Sequence, residues 1–186
     1  MNNEGMITYV AFLRGINVGG HNRMKMAALR QTFADLGLEN AETYIQSGNV
    51  VFRSTETNAD LLQERIEAGI EKTFGYEIAV MVRTRGQLEN VVANNPFTPA
   101  DGDENIKLYV TFLNDVPSEE QRQILYSAQS DAETFAVEGD IIYSRLDRNR
   151  QGKRGRRIDV RKKLGISATR RNWRVVNKVL ELANSA

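Results

Sequence analysis

The sequence predicts an α+β protein in which one arrangement of strands and helices occurs twice. Within the first 82 residues, β-prone runs and amphipathic stripes follow the order β-α-β-β-α-β. A second copy follows, because residues 109–113 repeat residues 9–13 at four of five positions. This order is that of the α/β plait, or ferredoxin-like, fold. We therefore expect two duplicated ferredoxin-like halves, the second degenerate, plus C-terminal helices.

The first half has recognisable boundaries for its elements. Apolar residues recur at helical spacing after Asn22 and Asn58, which suit N-cap positions, and Gly37 and Gly75 suit the two helix ends. Two β-prone runs flank Ser47–Gly48 and predict a hairpin with a tight turn. The predicted elements are a strand over 7–13, a helix over 22–37, a hairpin over 42–52, a helix over 58–75, a strand over 78–82 and a helix over 84–94.

A turn-rich segment separates the two halves. Residues 95–105 hold two of the three prolines together with several Asn, Asp and Gly residues. This composition is typical of a connection between compact units. We therefore predict a first half over 1–95, with a trailing helix, and a second half over 96–186, with a basic loop and a C-terminal helix.

The second half first follows the first half and then departs from it. Ser118 and Gln121 have capping-box spacing, and the last helix has Asn172 as a candidate N-cap and Trp173 as a candidate core residue. No fourth strand is predicted. The predicted elements are a strand over 109–113, a helix from 118, a hairpin over 133–143, a basic loop over 148–155, a short helix over 156–164 and a last helix over 172–183.

Composition excludes several classes of chemistry. The chain has no cysteine, so disulfides and thiolate chemistry are excluded, and its one histidine, His21, argues against a histidine-based metal site. We expect no metal and no bound cofactor. No window has the run of apolar residues that a membrane span needs, and the N-terminus does not read as a signal peptide. The expectation is a cytoplasmic protein with no membrane partner, for which a homo-oligomer stays open.

Charge is distributed unevenly along the chain. Residues 145–178 contain fourteen Lys or Arg and two acids, a net +12, so the remainder carries −11 to give the total of +1. Glycines interleave these cations, as in segments that track a phosphate backbone. The candidate nucleic-acid contacts are Lys153, Arg154, Arg156 and Arg157. The alternatives are a solvated face, or docking of this segment on the acidic remainder.

The leading candidate site is the elbow, residues 14–21, where a buried strand runs into a polar, glycine-rich stretch. Backbone N–H groups at Gly19 and Gly20, the Arg14 guanidinium and the Asn17 amide could together bind an anion, with a helix start immediately after them. The glycine spacing fits neither a Walker loop nor a dinucleotide fingerprint. A purely structural crossover, in which the glycines only shape the turn, is the equal alternative.

The hairpin turn, residues 46–49, is the second part of the candidate site. In a β-α-β-β-α-β sheet the first and third strands are antiparallel neighbours, so the elbow and the turn can meet at one edge. Gln46, Ser47 and Asn49 are therefore candidate ligand-binding residues. Ser47 could act as a nucleophile only with a nearby base, and His21 is the sole imidazole, without a recognisable orienting acid.

The start of the last helix supplies two further candidates. Arg171 and Asn172 are included as ligand-binding residues, because Arg171 could point either to solvent or to the same polar site. Asn172 has the alternative role of an N-cap.

These motifs resemble a bacterial family, the domain of unknown function 1697, over nearly the whole chain. The resemblance rests on residues 13–20 (LRGINVGG), 43–52 (TYIQSGNVVF), 95–97 (NPF) and 169–173 (TRRNW). The last stretch departs from the family pattern: Arg170, Arg174 and Val175 stand where Thr, Asn and Thr are usual, which makes this end more basic. The resemblance implies a mixed α/β fold of ferredoxin-like type and no established activity.

Three functions are compatible with the sequence. The favoured one is binding of a phosphate-rich ligand, nucleic acid among the candidates, through the basic C-terminal segment and the elbow. A second is a small metal-independent enzyme acting on a phosphorylated or nucleotide-like substrate. A third is a partner-binding or oligomeric protein without chemistry.

Overall fold

The computed structural model describes residues 5–97, 104–150 and 158–186, which form two compact units. The first unit contains the described residues up to Asn90 together with Asn177–Ala186, and the second contains those of Val91–Val176. In chain order the elements are β1 Ile7–Leu13, α1 Met26–Asp35, β2 Glu39–Tyr44, β3 Asn49–Ser54, α2 Ala59–Phe74, β4 Val80–Thr84, α3 Arg85–Ala93, β5 Ile106–Leu113, α4 Glu119–Ser127, β6 Glu133–Glu138, β7 Ile141–Asp147, α5 Val160–Leu164, β8 Ala168–Asn172 and α6 Trp173–Ser185.

The first unit is a ferredoxin-like sheet with two helices packed on one face. Its strands follow the order β2-β3-β1-β4, and every neighbouring pair is antiparallel. Alternate residues of β1, β3 and β4 form one core with the apolar stripes of α1 and α2, as period-2 and period-3.6 patterns require. The core includes Tyr9, Ala11, Leu29, Phe33, Phe52, Leu62, Ile66 and Val82.

The second unit repeats this topology. Its strands follow the order β6-β7-β5-β8, and α4 and α5 pack on one face over a core that includes Leu113, Leu125, Ile142 and Leu164. The predicted fold class is therefore confirmed, with both halves ferredoxin-like. The second half also contains β8, a fourth strand that the sequence prediction lacked, so only its second helix is reduced: α5 has 5 residues and α2 has 16.

Helix starts agree with the sequence except at α1 and α5. The short helix predicted over 156–164 begins only at Val160, and Asp159 is its N-cap. Asn58, Ser118 and Asn172 accept hydrogen bonds from first-turn N–H groups, as predicted. Asn22 was expected to cap α1, and this was wrong: the helix begins at Met26, four residues later. Asn22 instead has φ 47° and donates from Nδ2 to the Gly15 carbonyl at 3.2 Å.

Two further observations bear on the predictions. Trp173, assigned to the core, is half-buried at the start of α6. No helix among residues 5–97, 104–150 and 158–186 is long and apolar enough to cross a membrane.

Candidate functional site

The elbow and the hairpin turn meet at the end of the first sheet. Because β1 and β3 are antiparallel neighbours, the end of β1 lies beside the start of β3. The Leu13 N–H donates to the Gly48 carbonyl at 2.7 Å, and Asn17 Nδ2 donates to the Gln46 carbonyl at 2.9 Å. The loops are packed so closely that a Cβ added at Gly48 would lie 2.6 Å from Leu13 Cβ.

The elbow owes its shape to a run of left-handed residues. Gly15, Asn17, Gly19, Gly20 and Asn22 all have positive φ, between 47° and 83°. Gly and Asn are the residues that adopt this conformation at least cost. A hydrogen bond of 3.0 Å from the His21 N–H to the Val18 carbonyl closes the glycine turn.

The two predicted asparagines hold main chain in place. Asn17 Nδ2 donates to the carbonyls of Gln46 and Met24, and its Oδ1 accepts from the Met24 N–H at 2.8 Å. Both amide protons are thus committed to carbonyl oxygens. Asn49 is buried, and its Nδ2 donates to the Tyr44 carbonyl at 3.0 Å and to Ser47 Oγ at 3.1 Å. These side chains shape the site.

An open pocket of about 480 Å³ lies where the elbow, the turn and the start of α1 converge. Of the predicted residues, the elbow's Asn17 and Gly20 and the turn's Gln46 line it. Arg23, Met24 and Lys25 complete the described lining, which contains two cations and no carboxylate.

Helix α1 opens into this pocket without a side-chain cap. Its cap position is held by Lys25, whose ammonium group is a donor only and cannot accept from the first-turn N–H groups. The first turn of α1 contains no acid. Arg23 lies over the glycine turn, since its Nη2 would be 3.6 Å from a Cβ added at Gly20. The positive end of the helix dipole therefore lies among cations, an arrangement that attracts anions.

Sequence reasoning did not name Arg23 and Lys25 as site residues. A signal for them was present, because two cations precede the apolar stripe of α1 where a Ser, Thr or Asp is the usual start. Assigning the cap to Asn22 concealed it.

The remaining predicted residues lie elsewhere. Arg14 is half-buried directly after β1, and its N–H donates to the Ala79 carbonyl at 2.9 Å. Arg171 lies in the second unit on β8, where its Nη1 donates to Thr169 Oγ1 at 2.7 Å and to the Arg170 carbonyl. Burial lowers the pKa of Arg171 to about 10. Asn172 caps α6 through a 2.8 Å bond from the Val175 N–H.

Two other predictions concern the basic loop and metal binding. The nucleic-acid candidates Lys153, Arg154, Arg156 and Arg157 lie outside the described residues. Among the residues that are described, no group of three His, Asp or Glu side chains is arranged to hold a metal ion.

Fold and pocket together define a protein of duplicated ferredoxin-like halves with a cationic pocket at one end of the first sheet. The chain belongs to the family described as Protein of unknown function (DUF1697), which matches residues 6–143. A solved structure of a conserved bacterial protein from Streptococcus pneumoniae aligns with a TM-score of 0.72 and 24% identity, over 96% of this chain and 99% of that chain. This similarity shows a shared fold. No curated protein matches the sequence.

Proposed function

We propose that this protein binds a phosphate group in the pocket lined by Asn17, Gly20, Arg23, Lys25 and Gln46, and that its ligand is a phosphate-rich molecule, with nucleic acid the leading candidate. The observation that supports this is the start of α1, whose N-cap residue offers no side-chain acceptor and lies with a second cation in a pocket whose described lining contains no carboxylate. The proposal places the protein in the cytoplasm, where such ligands are abundant.

The arrangement is costly unless an anion binds. A helix start normally has a side-chain acceptor and favours acids in its first turn, and cations there oppose the helix dipole. A phosphate would accept from the first-turn N–H groups and pair with Arg23 and Lys25. The ligand thus supplies the acceptors and the negative charge that the chain lacks at this position.

The test is a titration of the full chain at low salt with inorganic phosphate and, separately, with mixed-sequence single-stranded DNA. The double variant Arg23→Gln/Lys25→Gln should weaken binding of both by at least about tenfold, since two charge-assisted contacts are lost. Arg65→Gln/Lys72→Gln is the matched control, because it removes the same charge from exposed positions on α2. Equal affinity for the two double variants, or no saturable binding by the wild type, would contradict the proposal.

The basic segment decides between a small phosphate ligand and nucleic acid. Neutralising Lys153, Arg154, Arg156 and Arg157 should leave inorganic phosphate binding unchanged. If nucleic acid is the ligand, the same variant should reduce the salt dependence of DNA binding by roughly 0.7 per lost phosphate contact. An unchanged slope would restrict the ligand to a small phosphorylated molecule.

A further inference from the structure

The helix-covered face of the second sheet differs in chemistry from that of the first. The register of the strands shows which positions of the two sheets are equivalent. The Thr111–Arg170 pair corresponds to the Ala11–Val82 pair. The Tyr109–Ser144 pair corresponds to the Tyr9–Phe52 pair. In the first unit these positions are all part of the apolar core. The second unit instead has the polar cluster, which comprises Thr111, Ser144 and Arg170.

Each member of the polar cluster has a buried atom without a partner among the described residues. These atoms are Thr111 Oγ1, Ser144 Oγ and Arg170 Nε. Thr111 and Ser144 are 2% and 1% exposed. Nearly all buried polar groups in proteins are hydrogen-bonded, and one left unpaired is costly. Three such atoms lie on one face of one sheet, so the polar cluster has hydrogen-bonding capacity that the described residues do not use.

The guanidinium of Arg170 lies over an aromatic ring of the second unit. It lies 4.1 Å from the centroid of the Tyr109 ring, whereas Phe52 stacks on Tyr9 in the first unit. Arg170 Nη2 also donates to Glu133 Oε1 at 2.8 Å, and Glu133 is buried. The charge of Arg170 is therefore neutralised, while its Nε–H keeps its capacity to donate.

We propose that the polar cluster binds a small neutral molecule through a carbonyl or hydroxyl oxygen. The oxygen would accept from Arg170 Nε–H and from the hydroxyls of Thr111 and Ser144. A neutral ligand fits better than an anion, because Glu133 already balances Arg170 and a second buried negative charge would have no counter-ion.

The probe is acetamide, with acetate as its anionic analogue of similar size. Both are titrated into the ¹⁵N-labelled full chain, and the Nε–H resonance of Arg170 is followed by NMR. Acetamide should give a saturable shift, and acetate should bind several-fold more weakly. Thr111→Val and Ser144→Ala should each weaken acetamide binding by about fivefold to tenfold. Thr32→Val is the control, because its buried hydroxyl in the first unit already donates to the Ala28 carbonyl at 3.0 Å.

Stability separates a ligand site from a structural role. Without ligand, Thr111→Val and Ser144→Ala should unfold at the same or a higher denaturant concentration than the wild type, because each removes an unpaired polar atom. Five results would overturn the proposal: lower stability of both variants without ligand, no saturable shift, tighter binding of acetate than of acetamide, unchanged affinity in both variants, or a long-lived water at the hydroxyls that acetamide does not displace.

Discussion

Lys25 is a residue whose position favours binding over stability. A cation at the N-cap provides no acceptor and opposes the helix dipole, so Lys25→Ser should raise the free energy of unfolding by about 1 kcal/mol. The same change should weaken phosphate binding if the proposed pocket is correct. Denaturant unfolding and a phosphate titration measure the two effects. Lys72→Ser is the control, since Lys72 lies in the last turn of α2, where a cation is favourable. Lower stability of Lys25→Ser would contradict the prediction.

Position 48 requires glycine for two reasons, its left-handed backbone and the lack of space for a side chain. It has φ 77°, and an added Cβ would lie 2.6 Å from Leu13 Cβ, inside the packed junction of elbow and turn. Gly139 in the second hairpin has φ 54° and open space around an added Cβ. Gly139→Ala should therefore cost about 1 kcal/mol for the conformation alone, and Gly48→Ala about 3 kcal/mol because overpacking adds to it. Equal losses in thermal or denaturant unfolding would show that the contact is unimportant.

Side-chain roles in the elbow were only partly predictable. The glycines and asparagines indicated left-handed backbone, and five such residues occur between Gly15 and Asn22. The sequence suggested Asn17 as an anion-binding donor, yet its amide is bonded to the Gln46 and Met24 carbonyls. One of those carbonyls lies 29 residues away in the chain. A partner that distant depends on sheet register, which local sequence does not specify.

At the level of elements, Asn17 connects the elbow, the hairpin turn and the segment that leads into α1. Asn17→Ala should lower the free energy of unfolding by about 2–3 kcal/mol, because three hydrogen bonds are lost at a residue with φ 54°. Amide hydrogen exchange of Met24 should accelerate, since its N–H donates to Asn17 Oδ1. Asn17→Asp is the matched control: it keeps that acceptor and should preserve the protection of Met24. Equal Met24 exchange in both variants would contradict this role.

The order of the strands could be predicted from the sequence, whereas the existence of strand β8 could not. The apolar runs of β1 and β5 and the hairpins are sufficient to define a ferredoxin-like sheet, and both sheets have the expected order. Strand β8 has the sequence ATRRN, without the apolar character of a buried strand. It forms by pairing along β5, in the position that β4 has beside β1. The duplication could have revealed β8. The last strand of each unit, β4 or β8, has a buried arginine next to its end (Arg83 or Arg171) and leads directly into a helix.

At the scale of the whole molecule, the duplication preserved the backbone more closely than the interior. The two sheets share strand order and pairing, while the same face is apolar in one unit and carries the polar cluster in the other. The two halves therefore differ in interior chemistry, since a fold tolerates such changes when its register is maintained. The two proposed sites accordingly lie in different units.

Stability of the whole chain should decline at alkaline pH because each unit contains a tyrosine hydroxyl bonded to a backbone carbonyl. Tyr9 donates to the Glu56 carbonyl at 2.7 Å and Tyr143 to the Val91 carbonyl at 3.0 Å. Burial raises the pKa of both phenols, that of Tyr143 to about 12. The folded-state pKa of Tyr143 lies above the unfolded value of 10, so its phenol stays protonated to a higher pH in the folded chain than in the unfolded one. The contribution of this phenol to the free energy of unfolding is therefore complete below pH 10 and is lost as pH rises toward 12.

Tyr9→Phe/Tyr143→Phe should separate this pH dependence from the cost of the lost hydrogen bonds. At pH 8 the double variant should be less stable by about 2 kcal/mol, one hydrogen bond in each unit. Between pH 10 and 11.5 the wild type should lose stability faster than the variant, so that the two denaturation midpoints converge. Urea unfolding at half-unit pH intervals measures this difference directly, and any other group that titrates in the same range cancels between the two proteins. Parallel curves across the whole range would mean that neither phenol keeps its proton longer in the folded chain than in the unfolded one.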